Sequence, residues 1–203
     1  MEINEHAEDV SNCTGHFQNP SSVKKLSRYL STNVTKEPLI LCIGTDRCIG
    51  DVLAPLTGTI LQKLNVDFPV YGTLENPVHA LNISNNLKKI KSRHPQAYII
   101  AVDASLGCKN EVGNIIIRRG SLHPGKGVGK KLPAVGDLTI VGIVETFKAD
   151  IALVIHNIRL HFVMSMAEII ASIIIRGLCQ NKSAKDNPYN TKNERKPPIH
   201  TCK

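Results

Sequence analysis

Two aspartates stand where a chain of alternating strands and helices would bring acidic side chains together. Asp51 follows the loop at residues 44–50 and opens a helical pattern, and Asp103 directly follows the apolar run at residues 98–102. Two carboxyl groups that lie close together repel each other, so one of them takes a raised pKa and keeps its proton. One can then act as an acid and the other as a base, which suits hydrolysis of a peptide bond by water.

Each aspartate also has a purely structural interpretation. Asp51 could cap the helix that follows it, an interaction worth roughly 0.3–1 kcal/mol. Asp103 could cap the loop at residues 104–107. Acidic residues at the carboxyl edge of an open sheet are often functional, because ligands bind in the crevice there. The pair therefore points to chemistry more strongly than either member alone.

A glycine-rich segment follows later in the chain. Gly125, Gly127 and Gly129 alternate with other residues in a pattern similar to a phosphate loop. That motif needs a glycine where Pro124 stands and a serine or threonine where Lys131 stands. We therefore expect a substrate-binding loop or lid at these three glycines rather than a nucleotide site.

A few further side chains could assist the aspartates. His123, His79 and Glu75 are candidates for extra ligands or acids, although a surface or loop role suits each of them better. Cys48 lies in the loop before Asp51 and could be a nucleophile, but the sequence pairs it with no histidine.

The elements that must position these residues alternate along the chain. Apolar runs predict strands, and apolar residues at helical spacing predict the helices between them. The strands are predicted at 39–43, 66–71, 98–102, 113–118 and 138–144, with helices from 51, from 76 and over 158–178. Right-handed crossovers then give a three-layer α/β/α sandwich with a mostly parallel sheet, whose first three strands take the order 2-1-3. Asp51 and Asp103 would face the crevice at the carboxyl ends of neighbouring strands.

Length and composition indicate one α/β domain at residues 37–180. A flexible arm at 1–36, with a short helix over 23–30, and a basic tail at 181–203 flank it. The chain has 203 residues and a net charge of +8, but few aromatic residues for base stacking, so nucleic acid is not the expected partner. No C-x-x-C pair, export signal or long membrane span is found, which favours a cytoplasmic protein. The apolar last helix could also pack on a second subunit.

Three blocks of this sequence resemble the YyaC-type sporulation proteins of endospore-forming bacteria. The blocks lie at 43–56, 100–107 and 123–131. Members of that family are described as candidate spore proteases. The same blocks resemble the spore germination protease, which degrades small acid-soluble proteins on spore DNA. By that resemblance Asp51 and Asp103 match its two catalytic aspartates, although Ala54 replaces a motif glycine.

The resemblance extends in fold to the hydrogenase maturation proteases, which bind a metal through two acidic residues and a histidine. We therefore expect an aspartate-dependent endopeptidase acting in sporulation without a cofactor, on a protein or peptide substrate such as the small acid-soluble proteins. One alternative is a metal-dependent peptidase that holds a divalent ion with Asp51, Asp103 and His123. Another is a non-catalytic binding protein that uses the basic tail.

Overall fold

Strands and helices alternate in the computed structural model, which describes residues 12–124, 132–147 and 158–179. This part of the chain forms an α/β structure of six strands and four helices. The strands are β1 (Asn12–His16), β2 (Pro38–Cys42), β3 (Val70–Tyr71), β4 (Tyr98–Gly107), β5 (Asn114–Arg119) and β6 (Leu138–Thr146), and the helices are α1 (Pro20–Asn33), α2 (Leu53–Lys63), α3 (Ile83–Arg93) and α4 (Leu160–Leu178).

All six strands join one mixed sheet in the order β1-β5-β6-β4-β2-β3. The four strands from β6 to β3 run parallel, whereas β5 and β1 are added antiparallel at the other side. The predicted order of the first three parallel strands is confirmed, because β2 lies between β3 and β4. This order places the reversal of the chain path, and hence a crevice, between β2 and β4.

Two hydrophobic clusters pack against the sheet. Alternate residues of β2 enter different clusters, since Ile40 and Cys42 join one and Leu39 and Leu41 join the other. The first cluster includes buried residues of α1, α2 and α4, and the second includes those of α3. Because successive side chains of a strand point to opposite faces, helices cover both faces at β2. This double coverage explains why β2 is a continuous apolar run.

The N-terminal region differs from the predicted flexible arm. Within residues 12–33, β1 pairs with β5 and α1 packs against α4. The predicted short helix is confirmed as part of α1, whose Leu26 and Leu30 are fully buried. The hydroxyl of Ser27 donates to the carbonyl of Ile173 at 3.2 Å. The packing of this region could not be predicted from the sequence, because β1 is polar and α1 carries few apolar residues. Residues 1–11 and the predicted tail lie outside the described part.

Other boundaries also shift. The second predicted strand shortens to Val70–Tyr71, and α3 begins at Ile83 rather than at residue 76. Within residues 76–82, Val78 forms a parallel bridge with Ile43 at the exit of β2. By length and composition alone, α4 is the one described helix that could cross a membrane, but 44% of its most apolar 18-residue window is buried, and the core helices of soluble proteins meet the same criteria.

Candidate active site

Asp103 lies at the point where β2 ends and β4 continues. The last residue pair between the two strands joins Cys42 to Val102, whereas Asp103 pairs with Val141 of β6. The prediction that Asp103 follows the end of its strand is wrong, because pairing with β6 extends β4 to Gly107. Asp103 nevertheless lies at the carboxyl edge of β2, as predicted, because β2 ends one residue before it and does not pair with it.

The loop between β2 and α2 presents Asp51 to the same edge. The backbone N–H groups of Asp51 and Val52 both donate to the carbonyl of Cys48, at 3.1 Å each. The Asp51 carboxylate accepts a hydrogen bond from the backbone N–H of Thr45. Helix α2 begins at Leu53, and its N-cap residue makes no side-chain cap hydrogen bond. Val52, and not Asp51, occupies the N-cap position of α2.

Gly44 allows this loop to fold back tightly. A Cβ atom at Gly44 would lie 2.1 Å from the carbonyl oxygen of Asp51 and 3.0 Å from the ring of Pro55. Its N–H donates to the carbonyl of Val78 at 2.8 Å. Any side chain at this position would therefore displace the backbone of Asp51. The sequence pattern gave no reason to single out this glycine.

The two carboxyl groups have shifted pKa values. Burial and, to a smaller extent, the negative charge of Asp51 together raise the pKa of Asp103 to about 8, against the Ala104 N–H that donates to Oδ1 at 2.9 Å. The Asp103 residue keeps some solvent access, although its carboxyl group is surrounded by protein. Burial also raises the pKa of Asp51, while the Thr45 N–H and His79 oppose that rise.

These environments separate the roles of the two groups. Asp103 holds the proton of the pair near neutral pH, because its pKa lies at about 8. Asp51 has a backbone donor and a neighbouring imidazole that favour its anion. A neutral carboxylic acid beside a carboxylate is the arrangement that general acid–base catalysis needs.

His79 is the further member of the site that the structure adds. It is half-buried, and its backbone N–H donates to Oδ1 of Asn82 at 2.9 Å. Its ring nitrogen Nδ1 accepts from the N–H of Leu81 at 3.3 Å. The bridge between Ile43 and Val78 brings this segment to the end of β2. The sequence offered His79 only as one of several extra candidates, since no pattern fixed the path of residues 76–82.

Other predicted candidates are not brought into the site. His123 and Glu75 are both exposed. Across residues 12–124, 132–147 and 158–179, no three His, Cys, Asp or Glu side chains group as metal ligands, so Asp51, Asp103 and His123 are not brought together as one ligand group.

Two cysteines precede Asp51 in the chain, Cys42 in β2 and Cys48 in the loop that follows it. Cys42 is fully buried and its thiol pKa is raised by burial, which fits a structural residue. Cys48 is half-buried and reduced in the loop before the site. Gly125, Gly127 and Gly129, the predicted substrate-binding glycines, lie outside the described residues.

A cavity of about 350 Å³ lies beside the loop that carries Asp51. Gly50 links the two, because a Cβ atom there would lie 2.9 Å from Ile158 and 3.5 Å from Val144, which line the cavity. The other lining residues include aromatic, polar and charged side chains: Phe17, Gln18, Val112, Glu145, Arg159, His161, Phe162 and Ser165. The cavity therefore borders the loop at Gly50, the residue before Asp51, although neither aspartate lines it.

Comparison with known proteins gives two matches. A family model described as "Protein of unknown function (DUF1256)" matches residues 14–173, a range that includes both aspartates and His79. The chain is also 43% identical over 156 residues to "Uncharacterized protein YyaC" of Bacillus subtilis (strain 168), covering 74% of this chain and 76% of that protein. Neither description states an activity.

Proposed function

Because this chain belongs to the DUF1256 family, whose description states no activity, we propose its function from the site itself. We propose an endopeptidase that hydrolyses peptide bonds with Asp51 and Asp103. The observation that carries the proposal is the raised pKa of Asp103, about 8, beside a second carboxyl group at the carboxyl edge of the sheet. Such a pair is an acid and a base at the same pH.

In the proposed reaction, the Asp51 carboxylate accepts a proton from a water molecule as the water oxygen attacks the peptide carbonyl carbon. The protonated Asp103 donates a hydrogen bond to the carbonyl oxygen, on which negative charge develops. When the C–N bond breaks, the proton taken by Asp51 passes to the leaving amine nitrogen. His79 stabilises the anionic form of Asp51 before the attack, because its electrostatic effect lowers the pKa of that carboxyl group.

We further propose the setting of this activity. The three-layer arrangement of the hydrogenase maturation proteases is the proposed fold type, and no cofactor is required. The proposed substrates are small acid-soluble spore proteins, cleaved in the cytoplasm of the mother cell or the forespore. The cavity beside Gly50 would accept a substrate side chain.

Cleavage of small acid-soluble spore proteins by the purified full-length chain tests the proposal. Asp51→Asn and Asp103→Asn should each abolish cleavage and leave the far-ultraviolet circular dichroism spectrum unchanged. Asp46→Asn is the matched control, because Asp46 is an exposed aspartate of the same loop. This control should cleave at the wild-type rate. Full activity in either site variant would refute the mechanism.

The same assay separates the alternatives. Loss of cleavage with a chelator and its recovery with one divalent ion would favour a metal-dependent peptidase instead. No cleavage under any condition, together with salt-sensitive binding to acidic partners that depends on residues 180–203, would favour a binding protein. Basic contacts to phosphate weaken as salt rises, so salt sensitivity identifies that case.

A further inference from the structure

An apolar groove of about 480 Å³ runs between α2 and α4, away from the aspartates. Its walls are built from both helices. Ile60 and Lys63 come from α2 and Leu64 directly follows it, whereas Glu168, Ile169 and Ser172 come from α4. We call this surface the α2–α4 groove.

Exposed apolar side chains continue the groove along α4. Leu160 and Met164 are 49% and 42% exposed, and they precede Glu168 at spacings of four residues, so the three lie on one stripe of the helix. Leu64 on the opposite wall is 38% exposed. Six large hydrophobic residues are exposed in the described part of the chain, and Leu64, Leu160 and Met164 are half of them. Single exposed apolar residues are ordinary, but a contiguous group marks an interaction surface.

We propose that the α2–α4 groove is the contact surface between two copies of this chain related by a twofold axis. Lys63 stands on one wall and Glu168 on the other, and both are exposed. Neither forms an ion pair with any described residue. A twofold interface uses the same patch on both subunits, so Lys63 can face Glu168 of the partner subunit and the reciprocal pair forms at the same time.

The charges on the groove favour a second copy over a lipid surface. A membrane would bury the carboxylate of Glu168, which follows Leu160 and Met164 at the end of the stripe, and a carboxylate without a cation is costly to bury there. A second copy supplies the missing cation from Lys63 and covers Leu64 and Met164 with matching apolar side chains. The groove is thus complementary to itself in both charge and hydrophobicity.

Sedimentation velocity of the full-length chain, between about 1 and 100 μM, tests the proposal by measuring the dimer dissociation constant. The double variant Leu64→Glu/Met164→Glu should raise that constant at least roughly tenfold, because symmetry places each new charge in the interface twice. The matched control is Leu81→Glu, since Leu81 is a 74% exposed leucine outside the groove. The control should keep the wild-type constant. A monomeric wild-type chain throughout this range would overturn the proposal.

A charge exchange makes the test specific to the reciprocal pair. Lys63→Glu and Glu168→Lys should each weaken the dimer, and the double exchange should restore it. A dimer that tolerates both single variants would overturn the twofold pairing. Wild-type co-sedimentation with phosphatidylglycerol vesicles that Met164→Glu abolishes would overturn it in favour of a membrane surface.

Discussion

Replacing Asp103 by asparagine should change how the stability of the protein depends on pH. The folded-state pKa of Asp103 is about 8, against 3.8 for the free side chain, so between these values the folded chain binds one proton more than the unfolded chain. Wild-type stability from this group is therefore complete below pH 3.8 and is lost as pH rises toward 8. Asparagine has a similar shape but does not titrate, so the stability of the variant does not fall in this way as pH rises from 3.8 to 8.

From pH 5 to pH 7, the free energy of unfolding of the variant should rise relative to that of the wild type by about 1.4 kcal/mol for each pH unit, or about 2.7 kcal/mol in all. Urea unfolding followed by circular dichroism at pH 5, 6 and 7 measures this difference. The titration of the histidines contributes equally to both free energies of unfolding, because both proteins carry the same histidines, and so it does not affect their difference. Asp46→Asn, at an exposed position, should show a difference that stays flat. A flat difference for Asp103→Asn as well would refute the inference that Asp103 is protonated at neutral pH.

Further predictions concern the loop, the N-terminal helix and the histidine. Gly44→Ala should lower the free energy of unfolding by at least about 2 kcal/mol because its Cβ would strike the Asp51 carbonyl. Gly120→Ala, at φ +95° but with open space around it, should cost only about 1 kcal/mol in the same urea experiment. Leu30→Ala should cost roughly 2–5 kcal/mol, since Leu30 is fully buried, and a wild-type midpoint would contradict the packing of α1. His79→Gln should raise the pKa of Asp51, measured by carbon-13 NMR titration, and no shift would remove His79 from the site.

The central strands and helices could be predicted because each carries a strong local pattern. The apolar runs at β2 and β6 and the helical spacing in α2 and α4 all agree with the structure within a few residues. The strand order followed from general rules of handedness. The strand β1 could not be predicted, because its residues are polar and its stability comes from pairing with β5, far away in the sequence. Pairing with a distant strand leaves no local periodicity.

The candidate site shows the same division. Asp51 and Asp103 were predicted to share one edge, and the electrostatic coupling of their carboxyl groups agrees with that placement. Thr45 and Gly44 could not be predicted as parts of the site, because their roles depend on backbone contacts within a loop. His79 depends on the path of residues 76–82, which leave the predicted helix and run beside β2 instead. The activity of the pair stays a prediction.

The pairing of β1 with β5 has a consequence for the time course of synthesis. Asn12 pairs with Arg118, so more than 100 residues separate the two strands. At a ribosomal rate of about 5–20 residues per second, β1 waits roughly 5–20 s before its partner strand exists. During this interval Cys13 and Leu26, both buried in the finished protein, have no sheet to cover them. The segment that contains β1 and α1 is therefore where we expect chaperones to bind during synthesis, and a pause in translation before residue 119 would prolong its exposure.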